Sequence, residues 1–360
     1  MGPRTPPRFV TRTMATTVAT VLLALCAAPI AAAQESAPAR LSADTAVSLS
    51  MFSNNDHVGG MFDATISVDA GKGLTAIVRP WVWRRPDGTS TFQWYQLQVR
   101  YQTRTRLPVR IDAGIITSPL GLSTLQQRAD LNPTIAPVFY YVIPLPRFDA
   151  TFDGLQMISA GYPLGAMATT SGAHWDLRGG MVDGTPARPR QELKRDQRPA
   201  MPQVVLGGGV TPRAGMRFGA GFAHGRYRNA TATVPDAQAT VFNVEGEYAF
   251  NQTRVSGEWV RDRFAIASGP VTARSFYLQG VQTLTPRLFA AARVARTRTP
   301  PIVFGTERPI TTYTTAELTA GYRVTRDFTV RSGYYGQRSY LATLWNHQAA
   351  VSVVWARRWY

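Results

Sequence analysis

Cysteine is all but missing from this sequence: Cys26 stands alone. It falls in the N-terminal leader described below. The exported chain is therefore expected to carry no disulfide, leaving hydrogen bonding and burial to hold it together. Lysine is almost as scarce. Lys72 and Lys194 are the only two in a chain of formal net charge +17, and every other basic residue is arginine. These arginines are dispersed singly, which argues against a nucleic-acid surface and for an anion-attracting surface or channel. Long apolar runs are lacking too. Beyond the leader nothing reaches the roughly 18 apolar residues of a membrane-spanning helix, and no stretch sustains a 3.6-residue period.

Catalytic signatures are also wanting. There is no HExxH, no GxSxG elbow, no phosphate-binding loop and no dinucleotide fingerprint. His57, His174, His224 and His347 are scattered, and no metal cluster forms around them. No metal or cofactor is expected. His174 and Asp176 share one strand face, as a base and its orienting acid would. A pair of this kind in a wet lumen is more often plain polar lining.

What is present begins with the leader. Arg4, Arg8 and Arg12 precede an apolar run from Val18 to Ala28, and Ala31, Ala32 and Ala33 precede Gln34. This is the pattern of a bacterial secretory signal peptide over 1–33, removed on export. A short segment, 34–43, follows. No Gly/Ser tract, charge block or change in composition divides the rest, so 44–360 is read as a single domain.

That domain alternates with period two. Phe62, Ala64, Ile66 and Val68 oppose Asp63, Thr65, Ser67 and Asp69; Leu97, Val99 and Tyr101 oppose Gln96, Gln98 and Arg100. Leu288, Ala290, Ala292 and Val294 oppose Arg293; Leu318, Ala320 and Tyr322 oppose Glu317, Thr319 and Arg323. The strands read as ten or more residues long, against about five or six in soluble sheets. Tight turns are expected near Gly71, Arg104, Pro163, Pro212, Gln252, Pro286 and Arg326, and longer connections at the other end. About sixteen strands result, an even number.

Aromatics gather near strand ends: Trp81, Trp83, Trp94, Tyr101, Tyr162, Tyr227, Tyr248, Trp259, Tyr322, Trp355, Trp359 and Tyr360. Tyrosine and tryptophan favour the headgroup level of a bilayer. The polar faces carry both charge signs, which a water-filled lumen tolerates and a sandwich core does not. In lipid, only a closed barrel pairs every strand edge. The expectation is an all-β transmembrane antiparallel barrel.

One stretch breaks the alternation. Ser118 to Asp153 holds Pro119, Pro133, Pro137, Pro144 and Pro146, which forbid a long helix or a central strand. It also holds Leu120, Leu122, Leu125, Phe139, Tyr140, Tyr141, Ile143 and Leu145. A proline-pinned, aromatic-rich segment of this length is a functional loop that packs on something.

The leader, the alternating strands and the C-terminal WARRWY together resemble Gram-negative outer-membrane porins. The resemblance covers the mature chain and rests on pattern. It implies a passive diffusion channel in the bacterial outer membrane for small hydrophilic solutes or anions. It further implies a final strand read by the barrel-assembly machinery, a possible homotrimer, and no nucleic acid. It places 118–153 in the third long-side connection, folded into the lumen as a constriction carrying Arg128, Asp130, Arg147, Asp149 and Asp153. Candidate pore-lining residues are Arg79, Arg100, Arg110, Arg178, Arg293, Arg323 and Arg331, facing Asp130 and Asp149. The competing reading pairs each arginine with a cross-strand carboxylate such as Asp112, Asp176, Glu245, Glu258 or Glu317. Arg147, Phe148 and Asp149 read equally as a selectivity element or an internal clamp. Two other classes stay open: a barrel lipid hydrolase, and a loop-based adhesin or receptor.

Overall fold

A computed structural model describes residues 40–54, 58–85, 88–118, 120–121, 128–138, 145–146, 157, 163–183, 203–232, 235, 237–300, 312–340 and 342–359. The leader 1–33 and Arg147, Asp149, Asp153, Tyr162 and Tyr360 lie outside these residues. Sixteen strands are present: β1 (Arg40–Phe52), β2 (Gly59–Gly71), β3 (Leu74–Arg84), β4 (Ser90–Gln102), β5 (Val109–Ile115), β6 (Leu164–Ser171), β7 (Trp175–Val182), β8 (Gln203–Arg213), β9 (Met216–Arg226), β10 (Gln238–Phe250), β11 (Thr253–Ile266), β12 (Gly269–Thr283), β13 (Leu288–Arg298), β14 (Thr312–Arg323), β15 (Phe328–Arg338) and β16 (Asn346–Trp359). Each pairs antiparallel with its neighbours in sequence, and β1 closes on β16 to complete a barrel. The all-β barrel expected from the alternation is the observed fold.

Parity sets the wall. Along β14, Thr315, Glu317 and Thr319 are buried, while Leu318 is 60% exposed on the outer face. The same two-residue period puts Leu278, Leu206, Leu49 and Val351 outside, as a lipid-facing band requires. The start of β1, the end of β16 and the tight turns lie at one end. Lys72 and Asn251 take positive φ in two of those turns, 52° and 50°, a conformation that flanking glycines or an asparagine side chain ease.

Two local expectations are corrected. Pro163 is not at a tight turn; it leads into β6, and the turn falls at Gly172, whose amide donates to the Trp175 carbonyl at 2.8 Å. The third long-side connection accordingly spans 116–163. Several aromatics are not at the lipid interface. Trp81 shares the inward parity of Arg79 and stacks on Tyr95, with centroids 4.7 Å apart. Tyr227 follows β9, is buried, and donates from its hydroxyl to the Ala265 carbonyl at 2.7 Å.

The inward face is also not uniformly wet. Val205, Ala223, Val241, Val260, Phe264, Ala273 and Ala295 point inward and are buried. They form one apolar cluster with Leu120, Val138, Leu145 and Met157 of the long connection. Burying each larger side chain stabilises by roughly 1.5–3 kcal/mol. Part of the barrel interior is therefore an apolar core between wall and loop.

Candidate functional site

All seven candidate arginines occupy inward positions, but most are engaged. Arg79 makes a two-pronged contact with Asp63, Nε to Oδ1 at 2.8 Å and Nη2 to Oδ2 at 2.6 Å, and both are buried. Arg100 donates to Asp112 at 2.7 Å, and Arg110 Nε lies 3.0 Å from the other oxygen. Arg178 stands 3.6 Å from Glu245. These pairs hold the wall, in line with the cross-strand alternative.

Arg217, not anticipated from sequence, joins three strands. It donates to Glu245 on β10 at 2.6 Å and to Asp176 on β7 at 3.0 Å. The inward glycines of β8 and β9 make room for it: a Cβ on Gly209 would sit 2.7 Å from Arg217 Nη2. With Asp176 so occupied, His174 bonds elsewhere, its Nδ1 lying 3.1 Å from the Thr211 carbonyl. Among the described residues no hydrogen bond joins the two.

The remaining arginines meet the long connection. Residues 128–136 cross to the inward faces of β1 and β13 to β15. Arg128 donates to Asp130 at 2.7 Å and also to Asp44 of β1. Burial alone would lower the Arg128 pKa, but these two carboxylates outweigh it and raise the guanidinium above its ordinary value. Arg293 pairs with Glu317 at 2.9 Å and donates to Asn132 Oδ1 at 3.3 Å and to the Ala136 carbonyl. Glu317 Oε1 accepts the backbone amides of Ile135 and Ala136 at 2.5 and 3.1 Å. Arg331 donates to the carbonyls of Ala129, Asn132 and Thr134 at 3.2, 2.5 and 2.7 Å, and to Ser352 Oγ at 3.1 Å. Within the segment, Asn132 Nδ2 donates to the Ala136 carbonyl at 2.8 Å. Buried backbone groups that would otherwise lack partners are thus satisfied by charged wall residues.

On the opposite wall, Leu120 rests over Gly221. A Cβ there would lie 2.6 Å from Leu120 Cδ2 and 2.3 Å from Asn243 Oδ1.

A cavity of about 690 Å³ opens on the tight-turn side of the segment, touching Ala129 to Pro133. It is lined by Arg254, Arg323, Arg326, Arg331 and Arg358 against Asp44, Asp130 and Asp327, while Arg357 borders it with its guanidinium turned onto the Trp359 ring. Arg323 is held loosely, donating to the Pro286 carbonyl at 3.1 Å, over the Phe289 ring. A second cavity, of about 300 Å³, meets Ala129, Asn132 and Ile135 to Pro137 and is walled by Trp81, Trp83, Tyr95, Tyr335 and Gln348. Both share Ala129 and Asn132, so the segment stands between a basic chamber and an aromatic one.

No protein-family profile matches the sequence, and no curated protein does. Solved structures do. OmpF of Salmonella typhi, in complex with daunomycin, superposes with a TM-score of 0.59 at 10% identity, covering 89% of this chain and 97% of that one. An anion-selective porin from Comamonas acidovorans gives 0.57 at 11% identity, covering 89% and 99%. The outer membrane channel DcaP of Acinetobacter baumannii gives 0.56 at 9%, covering 89% and 97%.

The chain has the fold of a sixteen-stranded outer-membrane porin.

For a porin-type barrel, the inward charges can act on a solute only where they are not neutralised by wall pairs. Arg79, Arg100 and Arg293 are so neutralised. Arg331 makes no carboxylate hydrogen bond among the described residues: its partners are carbonyls and a hydroxyl, and Glu317 and Asp130 act on it only through space, beside the basic chamber. Arg254, Arg326 and Arg358 were not singled out from sequence, although Arg254 shares the phase of Ser256 and Glu258.

Proposed function

We propose that this protein is a passive diffusion channel of the bacterial outer membrane, selective for small hydrophilic anions. Solutes pass between the aromatic and basic chambers beside residues 128–138, which narrow the passage. No bond is made or broken. The observation that carries the reading is the basic chamber, where Arg254, Arg323, Arg326, Arg331 and Arg358 face three aspartates beside the loop segment. Arginine keeps its charge and offers a planar fork to oxyanions. Water-excluded walls focus the field of such a cluster and raise local anion concentration. The name of the Comamonas protein, an anion-selective porin on the same fold, points the same way. Insertion by the barrel-assembly machinery and a homotrimeric assembly belong to this reading by fold analogy.

Planar-bilayer recording tests it. Stepwise conductance with a reversal potential of anion sign in a salt gradient is the expected result. A protein that inserts but stays silent removes the channel; cation preference removes the anion claim.

A further inference from the structure

The outer wall carries a second set of arginines unrelated to the lumen. Arg261 and Arg263 on β11, Arg274 on β12, Arg296 and Arg298 on β13, and Arg338 on β15 all have outward parity near the long-loop end. The first five are exposed and Arg338 is half-buried. Arg261 is directly opposite Arg274, and Arg274 directly opposite Arg298. Like charges facing each other across strands are destabilising unless something lies between them. Among the described residues nothing acidic does: no outward position on β9 to β15 holds an Asp or Glu, while Glu245, Glu247, Glu258, Asp262 and Glu317 of those strands all face inward. Among the described residues, no ion pair or side-chain hydrogen bond engages any of the six arginines.

Depth identifies the occupant. Arg261 lies two residues beyond Trp259 on the same face, a rise of about 7 Å. Arg296 is opposite Phe276, and Phe276 opposite Trp259. Phe242 packs edge-on against Trp259, with centroids 6.2 Å apart. The arginines therefore border the aromatic margin of the apolar band, at headgroup level. Across β11 to β15 the patch covers roughly 20 Å of circumference.

We propose that this patch binds anionic lipid headgroups, those whose phosphate charge is not cancelled by an ammonium group, on the leaflet facing the long loops. Guanidinium forks bind phosphate oxygens two at a time, and acyl chains would lie against Phe276, Leu278 and Val294 below. The proposal rests on the membrane placement given above, not on conduction.

The test uses the whole barrel in neutral detergent micelles. Retention of phosphatidic acid is compared with phosphatidylcholine by native mass spectrometry, for the wild type and for R261Q/R274Q/R298Q. Preferential retention of phosphatidic acid, falling at least tenfold in the triple variant, is expected, since each basic residue contributes roughly fivefold at an anionic surface. Equal retention of both lipids, or retention unaffected by the substitutions, overturns the proposal. Displacement of the lipid by millimolar inorganic phosphate also overturns it, marking a free-anion site instead. The same variants are recorded in bilayers, where unchanged unit conductance shows that they fold. A silent barrel that still selects phosphatidic acid sinks the channel and leaves this site. A conducting barrel with no lipid preference does the reverse.

Discussion

Glu317 stands directly opposite Arg293 across β13 and β14, 2.9 Å away, and its second oxygen holds the backbone of Ile135 and Ala136. One wall pair thus fixes a segment more than 180 positions upstream. The long connection is docked by charge as well as by apolar packing.

Substituting E317Q should loosen that dock. Breaking a buried pair by removing one partner costs about 3–5 kcal/mol, because the remaining charge loses its compensation. The expected signature in bilayer recordings is a larger and noisier unit current, with faster proteolysis near 128–138. A quiet trace of unchanged amplitude would mean the segment is held by other contacts.

R331M should act on the same segment by another route. Three carbonyls lose their donor, each at about 1–3 kcal/mol if left unsatisfied. Thermal unfolding in detergent should shift down, and the reversal potential should move toward the cation side. A lowered transition without any change in selectivity would confine Arg331 to a structural role.

R323Q/R326Q tests the chamber without touching the dock. Among the described residues the Arg323 side chain hydrogen-bonds only to the Pro286 carbonyl, so the wall should survive. Anion preference should fall, most visibly at low ionic strength where the Debye length is long. Equal selectivity at about 10 mM salt would exclude this chamber as the selective element.

G221V probes the far wall. Its Cβ alone would press on Leu120 Cδ2 and Asn243 Oδ1, so the loop must retreat from β9. Overpacking costs about 1–3 kcal/mol. Lower folded yield, with altered conductance in the fraction that folds, is expected. An unperturbed channel would show that Leu120 has room to move.

Much of the barrel was legible because parity is local. Arg293 and Glu317 each sit on the polar side of an alternating run, and no knowledge of the partner strand is needed to say so. The turn at Gly172 was missed because proline at 163 gave the louder signal, although a proline equally suits the first residue before a strand. Trp81 was misassigned because its residue type suggested the membrane margin, while its phase with Arg79 already put it inside.

By itself, the sequence determined that this chain forms lipid-facing ribbons with arginine on the inner side: a period of two fixes the face of every residue once a strand exists. Which arginines meet a carboxylate was settled by the fold. That depends on register and closure, which bring Arg331 to the carbonyls of Asn132 and Thr134 and Arg217 to Asp176 and Glu245. The fold also put Leu120 and Met157 in one apolar cluster with Val205 and Phe264, residues far apart in sequence that meet only when the wall closes.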